Sequence, residues 1–312
     1  MDFTILICTY NREARLRELF SSFQKLHLPG SLSFEVVVVD NNSTDATKRV
    51  VQESAIAPRY LFEPRQGHCF ALNTGVREAR GEFVAFLDDD VALEKDYLVG
   101  LERARREHPD VNIFGGRVFP LWPYDPPRWI TGGKPFRHSR GGIVAHDHGD
   151  EERLYEHGMR LPIGANFFCR RDLFERYGYY DVKLGPKGRE IVAGGAETEL
   201  LLRFQKHGER ILYVPYVAVY HPVDPQRMTR AYFRKHLFDA GRMHVRNIEY
   251  GRARRVFGVP RYIFRQLATS ALKFGLSCVR FKPADAYEYK LDCYYHLGAL
   301  YEARRISLQQ SR

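Results

Sequence analysis

The first ninety residues alternate between two hydrophobic periods. Residues 3–8 form an apolar run rich in β-formers, and residues 12–26 follow with Leu16, Leu19, Phe20 and Phe23 on one helical face. Residues 34–39 read FEVVVV, a β-branched run that suits a strand covered on both sides. The polar run Asp40-Asn41-Asn42-Ser43-Thr44-Asp45 is then a turn that caps a helix over 46–54. Residues 60–62 make a third strand, 69–80 a helix closed by Gly81, and 83–87 (FVAFL) a fourth strand. Repeated β-α units predict an α/β, doubly wound sheet with its ligands at the carboxyl ends of the strands.

Beyond residue 100 the periodicity loosens. Residues 115–162 are rich in Gly and Pro and hold both tryptophans, Trp122 and Trp129, so that apart from a short run at 113–119 they read as a functional loop. Regularity returns with a strand at 166–169, a helix from Asp172, a helix over 197–207 closed by Gly208, and apolar strand runs at 210–215 and 213–220. After Met228 helices dominate. There is no internal repeat.

Charge divides the chain unevenly. Of the formal net charge of +10, residues 227–312 carry 18 basic against 6 acidic residues, which leaves 1–226 slightly acidic. A nucleic-acid footprint would mark the main domain as well, so the basic end points to a phosphate-bearing ligand or an anionic membrane surface and not to nucleic acid. The five cysteines, at 8, 69, 169, 278 and 293, contain no C-x-x-C pair and suggest neither a disulfide framework nor a zinc site. No export signal and no unbroken apolar run of about 18 residues is found, and a cytoplasmic setting is expected.

The chemistry-bearing residues stand at strand ends. Asp88, Asp89 and Asp90 directly follow FVAFL. Three carboxylates so close repel one another unless a cation neutralises them, and Mg²⁺ or Mn²⁺ prefers oxygen ligands. Asp40 ends the second strand run and Thr9-Tyr10-Asn11-Arg12 ends the first, which together suggest a nucleotide site built from backbone amides, a carboxylate and an arginine. Neither G-x-G-x-x-G nor G-x-x-x-x-G-K-[ST] occurs, so the dinucleotide and P-loop solutions are excluded.

Four motifs in order, T-x-x-x-x-T-Y-N-R-x-x-x-L, V-V-V-V-D-N-N-S-T-D, G-x-x-x-A-L-N-T-G-x-x-x-A-x-G-E-F-V-A-F-L-D-D-D and G-A-E-T-E-L-x-x-R-x-x-x-x-G, resemble a family 2 glycosyltransferase with the GT-A fold. The likeness spans about residues 2–225. It implies a GT-A domain over 1–225, with an acceptor-side loop near 115–165, followed by a helical, basic C-terminal extension over 226–312. By the same resemblance Thr9, Tyr10, Asn11, Arg12, Glu13, Asp40, Gly67, Asn73, Asp88 and Asp89 bind a nucleotide sugar. Asp90 leads the metal ligands, with Asp88 and His221, for Mn²⁺ or Mg²⁺. The donor is expected to be a UDP-sugar ahead of a GDP- or dTDP-sugar, and the acceptor a glycan or a lipid-linked saccharide.

The family carries an E-D pair whose Asp is the general base of inverting transfer. Here the pair reads Ala196-Glu197, which puts Glu197 in the base position with Glu199 as the fallback. Gly164, Ala165 and Asn166 resemble the floor of the sugar and acceptor pocket, and Trp122 stands ready to stack on a sugar face. Arg227 and Arg230 are placed to meet phosphate, and the Gly-rich stretch 185–195, with Lys187 and Arg189, reads as a loop or flap. The processive Q-x-x-R-W signature is absent. In the tail, Ile263, Leu267, Ala271, Phe274, Cys278 and Phe281 share one helical face away from Arg265, Lys273 and Arg280, as in a helix lying on a bilayer or packing on its own domain. A sugar-phosphate nucleotidyltransferase and a non-catalytic nucleotide-sugar or nucleic-acid-binding protein are the alternatives.

Overall fold

The expected β-α alternation becomes a sheet in which the first strand, β1 (Phe3–Thr9), lies in the interior. The computed structural model describes residues 1–131, 142–156, 158–185, 195–247 and 254–310. After β1 come α1 (Glu13–Phe23), β2 (Phe34–Asp40), α2 (Thr47–Gln52), β3 (Arg59–Phe62), α3 (His68–Glu78), β4 (Phe83–Leu87) and β5 (Ala92–Leu93). Next are α4 (Tyr97–Glu107), β6 (Ile113–Leu121), α5 (Arg128–Thr131), β7 (Arg153–Leu154), β8 (Asn166–Arg170), α6 (Asp172–Tyr177), α7 (Ala196–Lys206) and β9 (Ile211–Pro222). The helices α8 (Arg230–Asn247), α9 (Arg261–Val279) and α10 (Pro283–Gln310) follow.

Among the described residues the sheet runs β3-β2-β1-β4-β8-β6-β9-β5, with β7 paired to β9. β3, β2, β1 and β4 are mutually parallel, as are β6 and β9, while β8 is antiparallel to both of its neighbours. Chain order reverses between β1 and β4, so the carboxyl ends of these two strands flank the switch point where such sheets bind ligands. Alternate residues of β1 serve two cores. Phe3, Ile5 and Ile7 pack with α1 and α4, and Leu6 and Cys8 with α3 and α7.

Two elements depart from the sequence expectation. α4 went unexpected, although Tyr97, Leu98, Leu101 and Ala104 are fully buried along one face; three arginines and two glutamates in its second half mask that stripe. The short run set apart at 113–119 is strand β6, extended to Leu121, and the two apolar runs at 210–220 are one strand, β9. Its register against β6 passes from Gly116↔Val214 to Arg117↔Ala218, so Pro215, Tyr216 and Val217 bulge out, and the proline falls where no ladder donor is required. Asn166 closes the bulge by donating from Nδ2 to the carbonyls of Arg117 and Val217, each at 2.9 Å. A Cβ at position 116 would lie 2.2 Å from that amide nitrogen, which is why glycine stands there.

The chain falls into two compact units, 1–121 with 144–222, and 122–143 with 223–312. The expectation of one break near 225 lacked the excursion at 122–143. In the second unit α10 packs against both α8 and α9. Gly241 and Gly298 bring α8 and α10 together so closely that a Cβ at either would meet a partner carbonyl oxygen within 2 Å. Trp129 stands edge-on to Phe233 and Tyr287, with the Arg230 guanidinium over Trp129 and Tyr287, and Trp122 packs at the border of the same cluster.

The tail helix turns a different face inward from the one expected. Ile263, Ser270 and Ser277 of α9 are buried, Leu267 and Phe274 are half-buried, and Ala271, Cys278 and Phe281 are exposed. A seven-residue spacing of small residues lets α9 approach its partner closely, a signal that counting apolar side chains does not register.

Candidate active site

Loops after β1 and β2 are stitched together before any ligand arrives. Thr9 and Asp40 are register partners. The Asn11 amide donates to Ser43 Oγ at 2.9 Å, Asn11 Oδ1 accepts from the Thr44 amide at 2.7 Å, and the Glu13 amide donates to Asp45. Asn11 holds φ 53°, a left-handed conformation that asparagine tolerates better than most residues. Asp40 is buried and accepts from the Ser43 amide and the Tyr60 hydroxyl, each at 2.8 Å. Tyr10 is exposed on this rim. Beneath it Asn41 donates to the carbonyls of Glu63 and Arg65 and accepts from the Gly67 amide at 2.8 Å, where Gly67 takes φ 143° to start α3. Asn41 was not singled out in the sequence, where it reads as one more turn residue.

At the end of β4 the three aspartates meet two basic side chains. Thr9 Oγ1 donates to Asp89 at 2.7 Å, and Arg12 bridges Asp89 and Asp90 at 3.3 and 2.7 Å. His221, near the end of β9, brings Nε2 to 3.3 Å from Asp90 and 3.7 Å from Asp88. Burial, then the carboxylates of Asp90, Asp89 and Glu197, push Asp88 up to about 8, with Arg12 opposing. Burial also pushes Asp89 up to about 6 against Arg12 and Thr9. The cluster therefore holds more negative charge than its own side chains neutralise.

This donor set fits a hard divalent cation. Asp88, Asp90 and His221 each offer one ligand atom, all within 4.8 Å of one another. His221 Nδ1 lies 3.0 Å from the Pro222 carbonyl oxygen. Donation there leaves the Nε2 lone pair turned toward the carboxylates, an arrangement that a shared cation makes favourable. Two carboxylate oxygens and an imidazole nitrogen suit Mn²⁺ or Mg²⁺. A second such triad, Glu107, His108 and Glu152, lies away from these strand ends.

Asp88 also opens into a narrow cleft lined by Cys8, His68, Phe86, Gly164, Tyr180 and Glu197, about 230 Å³ with its open mouth included. Glu197 stands in the first turn of α7, and a Cβ at Gly164 would come within 2.8 Å of its Oε1. Glu199 is engaged elsewhere, paired through both oxygens with Arg203 at 2.9 and 3.0 Å. Arg203 in turn donates to the carbonyls of Tyr177, Gly178 and Tyr179, fixing the segment that leads into Tyr180.

Sequence reasoning did not single out His68 or Tyr180. Their surroundings lower the proton affinity of His68 through burial, with Glu197 pulling the other way. The Tyr180 hydroxyl is buried and has no hydrogen-bond partner among the described residues. Asn73 holds Tyr180 by both main-chain groups at 2.9 Å, so its amide is engaged with protein. Of the three residues expected on the pocket floor, Gly164 lines the cleft, whereas Ala165, just before β8, and Asn166, its first residue, are buried. Trp122, Arg227 and Arg230 belong to the second unit. Lys187 and Arg189 lie outside the described residues.

The sequence and the fold of this chain are matched by known proteins. Residues 4–178 match the family described as Glycosyl transferase family 2, and the chain belongs to that family. It is 23% identical over 231 residues to the glucosyl-dolichyl phosphate glucuronosyltransferase of Haloferax volcanii, covering 71% of this chain and 69% of that protein. It is 26% identical over 247 residues to the succinoglycan biosynthesis protein ExoM of Rhizobium meliloti, covering 77% and 73%. Among solved structures it resembles the mannosyltransferase PcManGT of Pyrobaculum calidifontis in complex with GDP-Man and Mn²⁺, with TM-score 0.59, 19% identity and coverage of 96% and 86%. Residues 1–349 of S. aureus TarS give TM-score 0.54, 18% identity and coverage of 100% and 92%. At these identities the structural likeness concerns the fold, which is that of the GT-A glycosyltransferases.

Proposed function

We propose that the protein is an inverting, divalent-cation-dependent glycosyltransferase that moves a sugar from a nucleoside diphosphate to an acceptor hydroxyl in cell-surface glycan or glycolipid synthesis. The carrying observation is the cleft itself: Asp88, which belongs to the Asp88, Asp90 and His221 cluster, shares it with Glu197. Thr9, Asn11, Glu13 and Asp40 surround the base and ribose, and Asp88 and Asp89 face ribose and sugar. Mn²⁺ or Mg²⁺ held by Asp90, Asp88 and His221 would offset the negative charge that builds on the departing diphosphate.

Glu197 accepts the proton of the acceptor hydroxyl as that oxygen attacks the anomeric carbon, and the bond to the diphosphate breaks on the opposite face. One carboxylate base with direct displacement converts an α-linked donor to a β-linked product. The pairing of Glu199 with Arg203 supports Glu197 over Glu199 in this role. The fold and family speak against the nucleotidyltransferase reading. Relatives that name a dolichyl phosphate sugar and succinoglycan support a lipid-linked or glycan acceptor.

Calorimetric titration with UDP, GDP and dTDP, with and without Mn²⁺, tests the reading. One nucleotide should bind in the presence of Mn²⁺ and lose most of its affinity in EDTA, because the bare aspartates repel a diphosphate. Equal affinity for that nucleotide in EDTA would remove the cation from the proposal.

A further inference from the structure

We infer that α9 is a membrane-surface element that rests on an anionic lipid bilayer. The helix is 19 residues long, about 28 Å at the usual rise per residue. Its inward face is already occupied: Ile263 packs with Ala299 and Ala303 of α10, and Ser270 and Ser277 are buried. On the outward side Phe264, Leu272, Leu276 and Val279 are exposed, and Phe281 follows just past the helix end at 92% exposure. Gly275, between them, faces open space. No described helix is long and apolar enough to cross a membrane, so a surface position is the geometry this stripe fits.

The end of the helix presents an aromatic ring at a conformational cost. The Lys282 amide bonds the Ser277 carbonyl at 3.0 Å and the Phe281 amide the Cys278 carbonyl at 3.2 Å, a helix stop whose left-handed residue is usually glycine. Phe281 holds that position at φ 51°. An L-residue there is strained, and burial does not offset it in the isolated chain, where Phe281 is almost fully exposed. Insertion of the ring among acyl chains would.

Charge selects the occupant. Residues 254–284 contain no Asp or Glu, while Arg261, Arg265, Lys273, Arg280 and Lys282 lie along or just past the helix. An apolar stripe on a segment whose own charges are all cations complements anionic headgroups over a short hydrophobic depth, whereas a second copy of the same face would bring like charges together.

Flotation of the full chain with vesicles tests this independently of transfer activity. The protein should float with phosphatidylcholine vesicles containing about 30% phosphatidylglycerol, much less with phosphatidylcholine alone, and be released at about 0.5 M salt. Leu276→Glu/Phe281→Glu, at two exposed positions, should melt as wild type and lose roughly tenfold in the vesicle-bound fraction. Arg280→Glu/Lys282→Glu should lose the preference for the anionic vesicles. Failure of the wild type to float, or unchanged flotation of the Leu276→Glu/Phe281→Glu variant, overturns the inference. So does concentration-dependent self-association that this variant abolishes in the absence of vesicle binding, which assigns the face to a second copy.

Discussion

The protein contains two acidic centres with opposite charge balance. At the end of β4, three aspartates share one guanidinium and one imidazole. Within the helical unit a single carboxylate, Glu302, fully buried, takes hydrogen bonds from Arg242 and Arg246 at 3.0 and 2.7 Å and pairs with Arg305. Burial pushes both acids up, yet Asp88 ends near 8, whereas bonds from Arg305, Arg246 and Arg242 bring Glu302 down to about 2. A centre with surplus negative charge is a seat for a cation that the chain does not supply. A centre whose charge is fully answered by its own side chains is a brace between α8 and α10.

The largest effect that sharpens this contrast is expected at Asp90. Asp90→Ala should abolish sugar transfer while the melting temperature stays within a degree or so of wild type, because a partly exposed ion pair contributes little to stability. Near-normal turnover at limiting Mn²⁺ would make the cluster a turn and not a site. Next, Glu197→Gln should lower turnover by ~10²–10⁴ with nucleotide affinity nearly unchanged, and Glu199→Gln should do less and act on stability through Arg203. The reverse order of losses would move the base to Glu199.

Glu302→Gln probes the other centre. It should cost about 2 kcal/mol of stability and leave Mn²⁺-dependent nucleotide binding intact; the three arginines are partly exposed and rehydrate, which keeps the loss below that of a sealed pair. The two centres should also respond to pH with opposite sign. Glu302 has a folded value below its ordinary 4.5, so its contribution is present above that pH and fades as pH falls toward 2. Asp88 has a folded value above its ordinary 3.8, so its contribution is present at low pH and lost as pH rises through about 8. Thermal melts from pH 3 to pH 9, with and without Mn²⁺, read both: the cation should restore stability at the alkaline end only, and a Mn²⁺ effect confined to low pH would break the comparison.

The smallest effect is expected at Tyr180. Tyr180→Phe removes a hydroxyl that bonds no group among the described residues, so melting should not fall, while transfer should drop by roughly tenfold if that hydroxyl contacts substrate. An unchanged KM and kcat would leave Tyr180 as packing alone.

What was legible in the sequence was local. FVAFL followed by Asp88, Asp89 and Asp90 marks a buried strand with acids at its end, because a strand's period and its stop are written in neighbouring residues. The same holds for β1, β2 and the helices between them. α4 escaped because its apolar stripe is interleaved with Arg103, Arg105 and Arg106, whose charges all point to solvent or to nearby acids. Asn73 and Asn166 read as ligand contacts by motif, whereas each spends its amide on a backbone more than forty residues away.

The amino-acid sequence by itself determined the strands, their acidic ends and the family, since each rests on runs of adjacent residues and on motifs in a set order. Which of those ends meet follows from the strand order. β4 lies beside β1 and carries Asp89 to Thr9 and Arg12, and the order β8-β6-β9-β5 returns His221 to Asp88 and Asp90 across more than a hundred residues. The outward face of α9 was decided in the same way. Its direction is set by two serines packed near α10, and no periodicity in the helix's own apolar residues specifies where its partner lies.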